Sequence, residues 1–157
     1  MKTYLVILSL VLGTSLFAQT EKSYKAVVAS TVSADKAWTL ITDMSKWKLW
    51  DDGVVDARFE GPLKEKAVGR VIKADGTVVE YKIIALEDAK TYTFKHKLSS
   101  GVIFTKRIVT PSENGSSISE EVWFKGISGK TFEKYCGADY GSKIESNLNT
   151  FKAILED

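Results

Sequence analysis

Polar and apolar positions alternate along most of this chain, and the period of the alternation changes along it. Tyr24, Ala26, Val28 and Ser30 share one face of a strand predicted over 24–32. Helical spacing follows. Ser33 is placed to cap a short helix, Asp35 stands where the helix dipole favours an anion, and Ala37, Trp38, Leu40 and Ile41 form its apolar side. A second helical turn, opened by Ser45, carries Trp47, Leu49 and Trp50, and Asp51-Asp52-Gly53 breaks it. From Val54 the period is two, the mark of half-buried strands. Val55, Ala57 and Phe59 alternate with Asp56, Arg58 and Glu60 until Gly61-Pro62. Further strands are predicted over 68–74, 77–86, 92–98, 102–110 and 117–124, with Asp75-Gly76 as a tight hairpin. The expected inward sets are Val79, Tyr81, Ile83 and Ala85, then Tyr92, Phe94, His96 and Leu98. They continue as Val102, Phe104, Lys106 and Ile108, then Ile118, Glu120, Val122 and Phe124. After Gly129 a period of 3.6 returns, and Phe132, Cys136, Tyr140, Ile144, Leu148, Phe151 and Leu155 fall on one helical face. Gly137 and Gly141 interrupt that face, and Ser142-Lys-Ile-Glu145 reads as a capping box, so the helix is expected to kink or restart near Gly141.

Short connections make successive strands antiparallel neighbours. The order predicts an α+β fold: one strand, two short helices, a strand meander and a long terminal helix. No βαβ alternation and no glycine-rich phosphate loop follows a strand, which disfavours a nucleotide fold. A length of 157 residues suits one domain that can bury a core and still keep a pocket. The net charge of +2 is spread without a basic block, so no nucleic acid is implied.

The first residues differ from the rest. Lys2, the apolar run Tyr4–Leu12 and small residues before Ala18 have the form of a secretory leader cut after Ala18. The apolar run falls short of the roughly 20 residues that a membrane span needs. The expected division is therefore a leader over 1–18 and one domain over 19–157, exported to the periplasm or beyond, with no stable membrane span after cleavage. Cys136 is the only cysteine, so the fold can contain no internal disulfide, and it reads as a small buried hydrophobe.

Five motifs in order carry a resemblance: Val32-Ser-Ala-Asp-Lys-Ala-Trp38; Asp43-Met-Ser-Lys-Trp47 followed by Trp50-Asp51; Phe59-Glu-Gly61-Pro62; Gly101-Val-Ile-Phe104; and Val122-Trp-Phe124-Lys-Gly126. With the terminal helix, the chain over about 24–155 resembles the polyketide cyclase/dehydrase group of the START-like, birch-pollen-allergen-like superfamily (SRPBCC). The resemblance implies a helix-grip fold: a curved seven-stranded antiparallel sheet around a long C-terminal helix, with two short helices closing one end. It also implies an apolar cavity for lipids, sterols, polyketides or similar molecules. Export departs from the pattern of many relatives and sets an intracellular polyketide pathway in doubt.

His96 is the only histidine and falls on an inward face. It is either a proton shuttle or a core histidine. A lone histidine without a Cys/Asp/Glu cluster at ligand spacing predicts no metal, and no cofactor is implied. If the hairpin through 111–115 turns both apolar sets inward, Lys106 falls opposite Glu120, Phe94 beside Lys106, and His96 beside Phe104. The pair is then either a polar anchor or acid/base couple, or an edge pair reaching solvent. Candidate cavity liners are Trp47, Trp50, Phe59, Tyr81, Phe94, His96, Phe104, Phe124, Phe132 and Tyr140. The pattern leaves the faces of Trp38 and Trp123 open. The leading functional expectation is an exported protein that binds a small hydrophobic or amphipathic ligand. The alternatives are a cyclase or dehydratase using His96, Lys106 and Glu120, and a solidly packed partner-binding domain.

Overall fold

A computed structural model describes residues 22–157; the expected leader over 1–18 lies outside them. The strands are β1 (Ser23–Ser30), β2 (Val54–Phe59), β3 (Val68–Lys73), β4 (Val78–Glu87), β5 (Thr91–Lys97), β6 (Val102–Ser112) and β7 (Gly115–Lys125). The helices are α1 (Ala34–Thr42), α2 (Gly129–Cys136) and α3 (Tyr140–Glu156), with a 3₁₀ helix at Met44–Leu49. The seven strands form one sheet in the order β1-β7-β6-β5-β4-β3-β2. Each hairpin of the meander sets its strands side by side, and β1 crosses back to pair antiparallel with β7. α3 buries Ile144, Leu148 and Phe151, and packs chiefly against β1. This is the expected helix-grip.

Local chemistry explains the element ends. α1 buries Ala34, Ala37 and Ile41, one side of three turns. Ser33 holds the N-cap position without a side-chain hydrogen bond, so the first turn rests on Asp35 and on packing. The 3₁₀ helix is capped by Asp43 rather than Ser45: the Asp43 carboxylate accepts from the Ser45 amide at 3.0 Å and its hydroxyl at 2.6 Å. Gly115 begins β7 at φ +141°, and a Cβ there would lie 2.1 Å from the Ser30 carbonyl oxygen. Only glycine permits both that backbone and that approach.

Four expectations are corrected. The terminal helix breaks at Gly137, whose φ of +101° suits glycine, and restarts at Tyr140, next to Gly141 as expected, but its N-cap is Asp139. Ser142–Glu145 therefore lies inside α3 and caps nothing. A register shift between Val54 and Asp56 leaves Val55 on the outside. Another between Ile83 and Ala85 exposes Ala85 and turns Leu86 inward. The largest correction concerns β6. Ser112 pairs with Gly115, so the turn is the two residues Glu113 and Asn114, and the strand continues through Pro111. A one-residue difference in register exchanges the two faces of a strand. Ile103, Thr105, Arg107 and Val109 are the buried set, and Phe104 and Lys106 point outward. Lys106 pairs with Glu121, Phe94 with Thr105, and His96 with Ile103.

Candidate functional site: a buried ion pair and an open seam

The corrected register places Arg107 directly opposite Glu120 on the concave side of the sheet. Both are buried, at 3% and 7% exposure. Such groups survive burial only when paired and hydrogen-bonded. The Arg107 Nε donates to Glu120 Oε2 at 2.6 Å, and Nη1 donates to the Tyr92 hydroxyl at 3.0 Å. Tyr92 donates onward to the Ile41 carbonyl at 2.7 Å, and Trp47 Nε1 donates to the same oxygen at 3.2 Å. Ile41 lies in the last turn of α1, where carbonyls lack intrahelical partners. Two side chains thus satisfy a helix end that is buried. The guanidinium also lies 4.2 Å from the Trp47 ring centroid, 4.5 Å from Trp50 and 5.2 Å from Phe94. Aromatic faces attract a desolvated cation. Burial by itself would favour discharging Arg107, but Tyr92 and Glu120 outweigh it and hold the guanidinium charged. Burial pushes the Tyr92 hydroxyl up to about 12, against the opposing pull of Arg107, so Tyr92 remains a donor.

Open space lies elsewhere. A cleft of about 520 Å³ is bounded by β4, the end of β5, Lys73 and Thr77 beside the β3–β4 hairpin, and Tyr135 and Cys136 of α2. It exists because β4 and β5 part. Their pairing reaches Lys82–Lys95; before that point β4 pairs only with β3, and His96 and Lys97 pair only with β6. Residues from both faces of β4 and β5 line the cleft, including Val79 and Lys82, His96 and Lys97. His96 presents its ring edge-on to Tyr81 at 5.1 Å between centroids. Its Nδ1 is buried and finds no hydrogen-bond partner among the described residues. Burial pushes the imidazole down to about 4, and the nearby Lys73 ammonium acts in the same direction. Burial likewise raises the Cys136 thiol, so it stays protonated. Behind His96, aromatic contacts run from Tyr81 to Phe94, Trp47 and Trp50, and end on Phe151.

The expected site residues therefore divide. His96 lines the cleft, and Tyr81 and Phe94 stand directly behind it. Trp47 and Trp50 cover the ion pair. Phe124, Phe132 and Tyr140 form a separate stack with Tyr24 under α2. Phe59 packs near Gly69 and Met44. Phe104 belongs to the outer face, stacked on Trp123 at 5.2 Å. Trp38 meets Tyr92 edge-on. The supposed trio of His96, Lys106 and Glu120 is not assembled, because Lys106 points outward and Glu120 is held by Arg107. Sequence reasoning missed Arg107 and the Tyr92 hydroxyl. The available signal was the alternative two-residue turn before Gly115, which sets an arginine against the inward Glu120. Among the described residues no group of three or more His, Cys, Asp or Glu could hold a metal ion, and no helix is long and apolar enough to cross a membrane.

Comparisons with known proteins agree with this architecture. The family described as polyketide cyclase / dehydrase and lipid transport matches residues 22–156. No curated protein matches the sequence significantly. DynU16, a protein of the dynemicin biosynthetic locus, superposes with a TM-score of 0.68 at 15% identity, over 85% of this chain and 47% of that one. XoxI from Bacillus cereus gives 0.66 at 14% identity, over 86% of this chain and 96% of that one. Ara h 8.0201 gives 0.64 at 16% identity, over 85% and 97%. At these identities the likeness establishes the fold.

Two outcomes follow from this geometry. Glu120→Gln leaves Arg107 buried beside a neutral amide and should cost about 3–5 kcal/mol in urea unfolding, whereas Arg107→Met with Glu120→Leu should recover most of that loss. A cost below about 1 kcal/mol for the single change would show that the pair is not sealed from water. His96 binds fewer protons folded than unfolded between about 4 and 6.5, so stability should fall as pH drops through that window, by at most about 3 kcal/mol. His96→Gln should flatten this dependence. An NMR titration of the sole imidazole with a midpoint near 6.5 would contradict its burial.

Proposed function

The chain belongs to the polyketide cyclase/dehydrase and lipid transport family, and on that footing we propose that it binds a small hydrophobic or amphipathic molecule in the cleft between β4, β5 and α2. The cleft is the observation that carries this reading. Its volume of about 520 Å³ is that of a small-molecule site. Val78, Val79, Leu98, Tyr135 and Cys136 supply apolar wall, and Tyr81 and Phe94 stand behind it. His96 offers one unpartnered ring nitrogen on an imidazole that is neutral at pH 7. Among the polar groups of the lining, His96 is the neutral one set against the inner aromatic wall, and it can orient a ligand without the cost of stripping water from a charge.

Binding is favoured over catalysis by what surrounds His96. General acid/base work needs a group that changes protonation near the working pH and a partner that exchanges the proton. Here burial moves the imidazole away from neutrality, and neither Lys106 nor Glu120 is available to it. A solidly packed, purely structural interior fits the Arg107 end of the molecule but not the seam. Export is part of the proposal and rests on the leader pattern of Lys2, Tyr4–Leu12 and Ala18.

Native mass spectrometry of protein purified from its own host should show a co-purified hydrophobic molecule of a few hundred daltons. Val79→Trp, which fills the cleft, should remove it without lowering stability by more than about 1–3 kcal/mol. Bare polypeptide mass, together with no uptake of an added apolar fluorophore, would refute a ligand-binding role.

A further inference from the structure

The seam has a charge pattern that a purely hydrophobic ligand does not explain. Lys82 and Lys95 are direct cross-strand partners at the point where β4 and β5 part. Like charges set opposite one another destabilise a sheet. Lys97 follows on the same face of β5, and Lys73 reaches the inner side, where its ammonium acts on both His96 and Cys136. All four lysines line the cleft, and none forms an ion pair within 4.0 Å among the described residues. The one carboxylate on the lining is Glu80; its cross-strand neighbour Arg70 is ion-paired with Glu60 at 3.1 Å. Asp75, in the turn after Lys73, lies close enough to feel its ammonium, so the mouth sets four ammonium groups against two carboxylates and carries a net excess of positive charge beside an apolar wall. Parting strands also leave edges whose backbone N–H groups lack sheet partners.

Resting on the binding function proposed above, we infer that the β4–β5 seam is the ligand's door and head-group seat, and that the ligand is an amphiphile with an anionic head. The tail passes inward between Val79, Leu98 and α2 toward Tyr81. The anionic head remains at the mouth, where it relieves the repulsion between Lys82 and Lys95 and draws Lys73 and Lys97 toward it. The His96 imidazole, just inside, feels the arriving negative charge. Arg107 takes no part, since Glu120 and Tyr92 already satisfy it.

Calorimetric titration with dodecanoate, dodecanol and dodecyltrimethylammonium, each below its micelle concentration and at low salt, tests this assignment. Dodecanoate should bind roughly tenfold more tightly than dodecanol, and the ammonium more weakly than either. Lys82→Gln with Lys95→Gln should erase most of the dodecanoate advantage, roughly three- to tenfold, and leave dodecanol unchanged. The charge-matched Lys36→Gln with Lys48→Gln should alter neither. Saturating dodecanoate should also raise the His96 titration midpoint, which dodecanol should not do. Equal affinities for the three probes, or a dodecanoate preference that survives the seam substitutions, would overturn the head-group assignment and leave the hydrophobic site standing. Failure of all three probes to bind would overturn both.

Discussion

The buried pair of Arg107 and Glu120 is the constraint on which the rest of this structure depends. Taking two charges out of water costs several kcal/mol for each ion. The protein offsets that cost with a short charge-assisted hydrogen bond, a second bond to Tyr92, and the faces of Trp47, Trp50 and Phe94. The pair and its compensating groups are drawn from four elements. Tyr92 and Phe94 come from β5, Arg107 from β6, Glu120 from β7, Trp47 from the 3₁₀ helix and Trp50 from its C-cap. Through Tyr92 and Trp47 the network also reaches the end of α1. A slip of β5, β6 or β7 would leave a charge or donor unpaired, so the cluster specifies the register of those three strands as well as contributing stability.

That same cluster decides where a ligand can go. It fills the concave side of the sheet beneath the short helices with aromatic rings and a satisfied cation. Space remains at the opposite part of the grip, where β4 and β5 separate and where the break at Gly137 leaves α2 as a separate short helix. His96 lines that space, and its buried Nδ1 has no partner among the described residues. The sealed end and the open seam are connected by ring contacts from His96 through Tyr81 and Phe94 to Trp47. Occupancy of the seam therefore has a direct packing route to the core.

Much of the architecture was legible wherever a strand has one apolar face and one polar face. β1 shows Ala26, Val28 and Ser30 against exposed neighbours, and the buried positions of β7 run Ile118, Glu120 and Val122. β6 defeated the same logic because both of its faces are largely apolar: Phe104 and Ile108 on one, Ile103 and Val109 on the other. Periodicity cannot choose between such faces, and only the turn length does. The bulges in β2 and β4 were illegible for a related reason, since one extra residue leaves the alternation locally plausible in either phase. The site was less legible than the fold. His96 was visible as a lone polar residue in an apolar set. The seam was not, because it arises from where pairing stops, which no single strand's pattern records.

Hydrogen exchange resolved by residue tests the central claim most directly: one end of the grip is sealed by the ion pair and the other opens along β4 and β5. The account predicts slow exchange for amides around Tyr92, Arg107 and Glu120, and fast exchange at 79–81 and 96–97. The fast amides should slow when a ligand occupies the cleft, while the slow ones stay unchanged. Uniform protection along β4 and β5 in the free protein, or rapid exchange around Arg107, would contradict it.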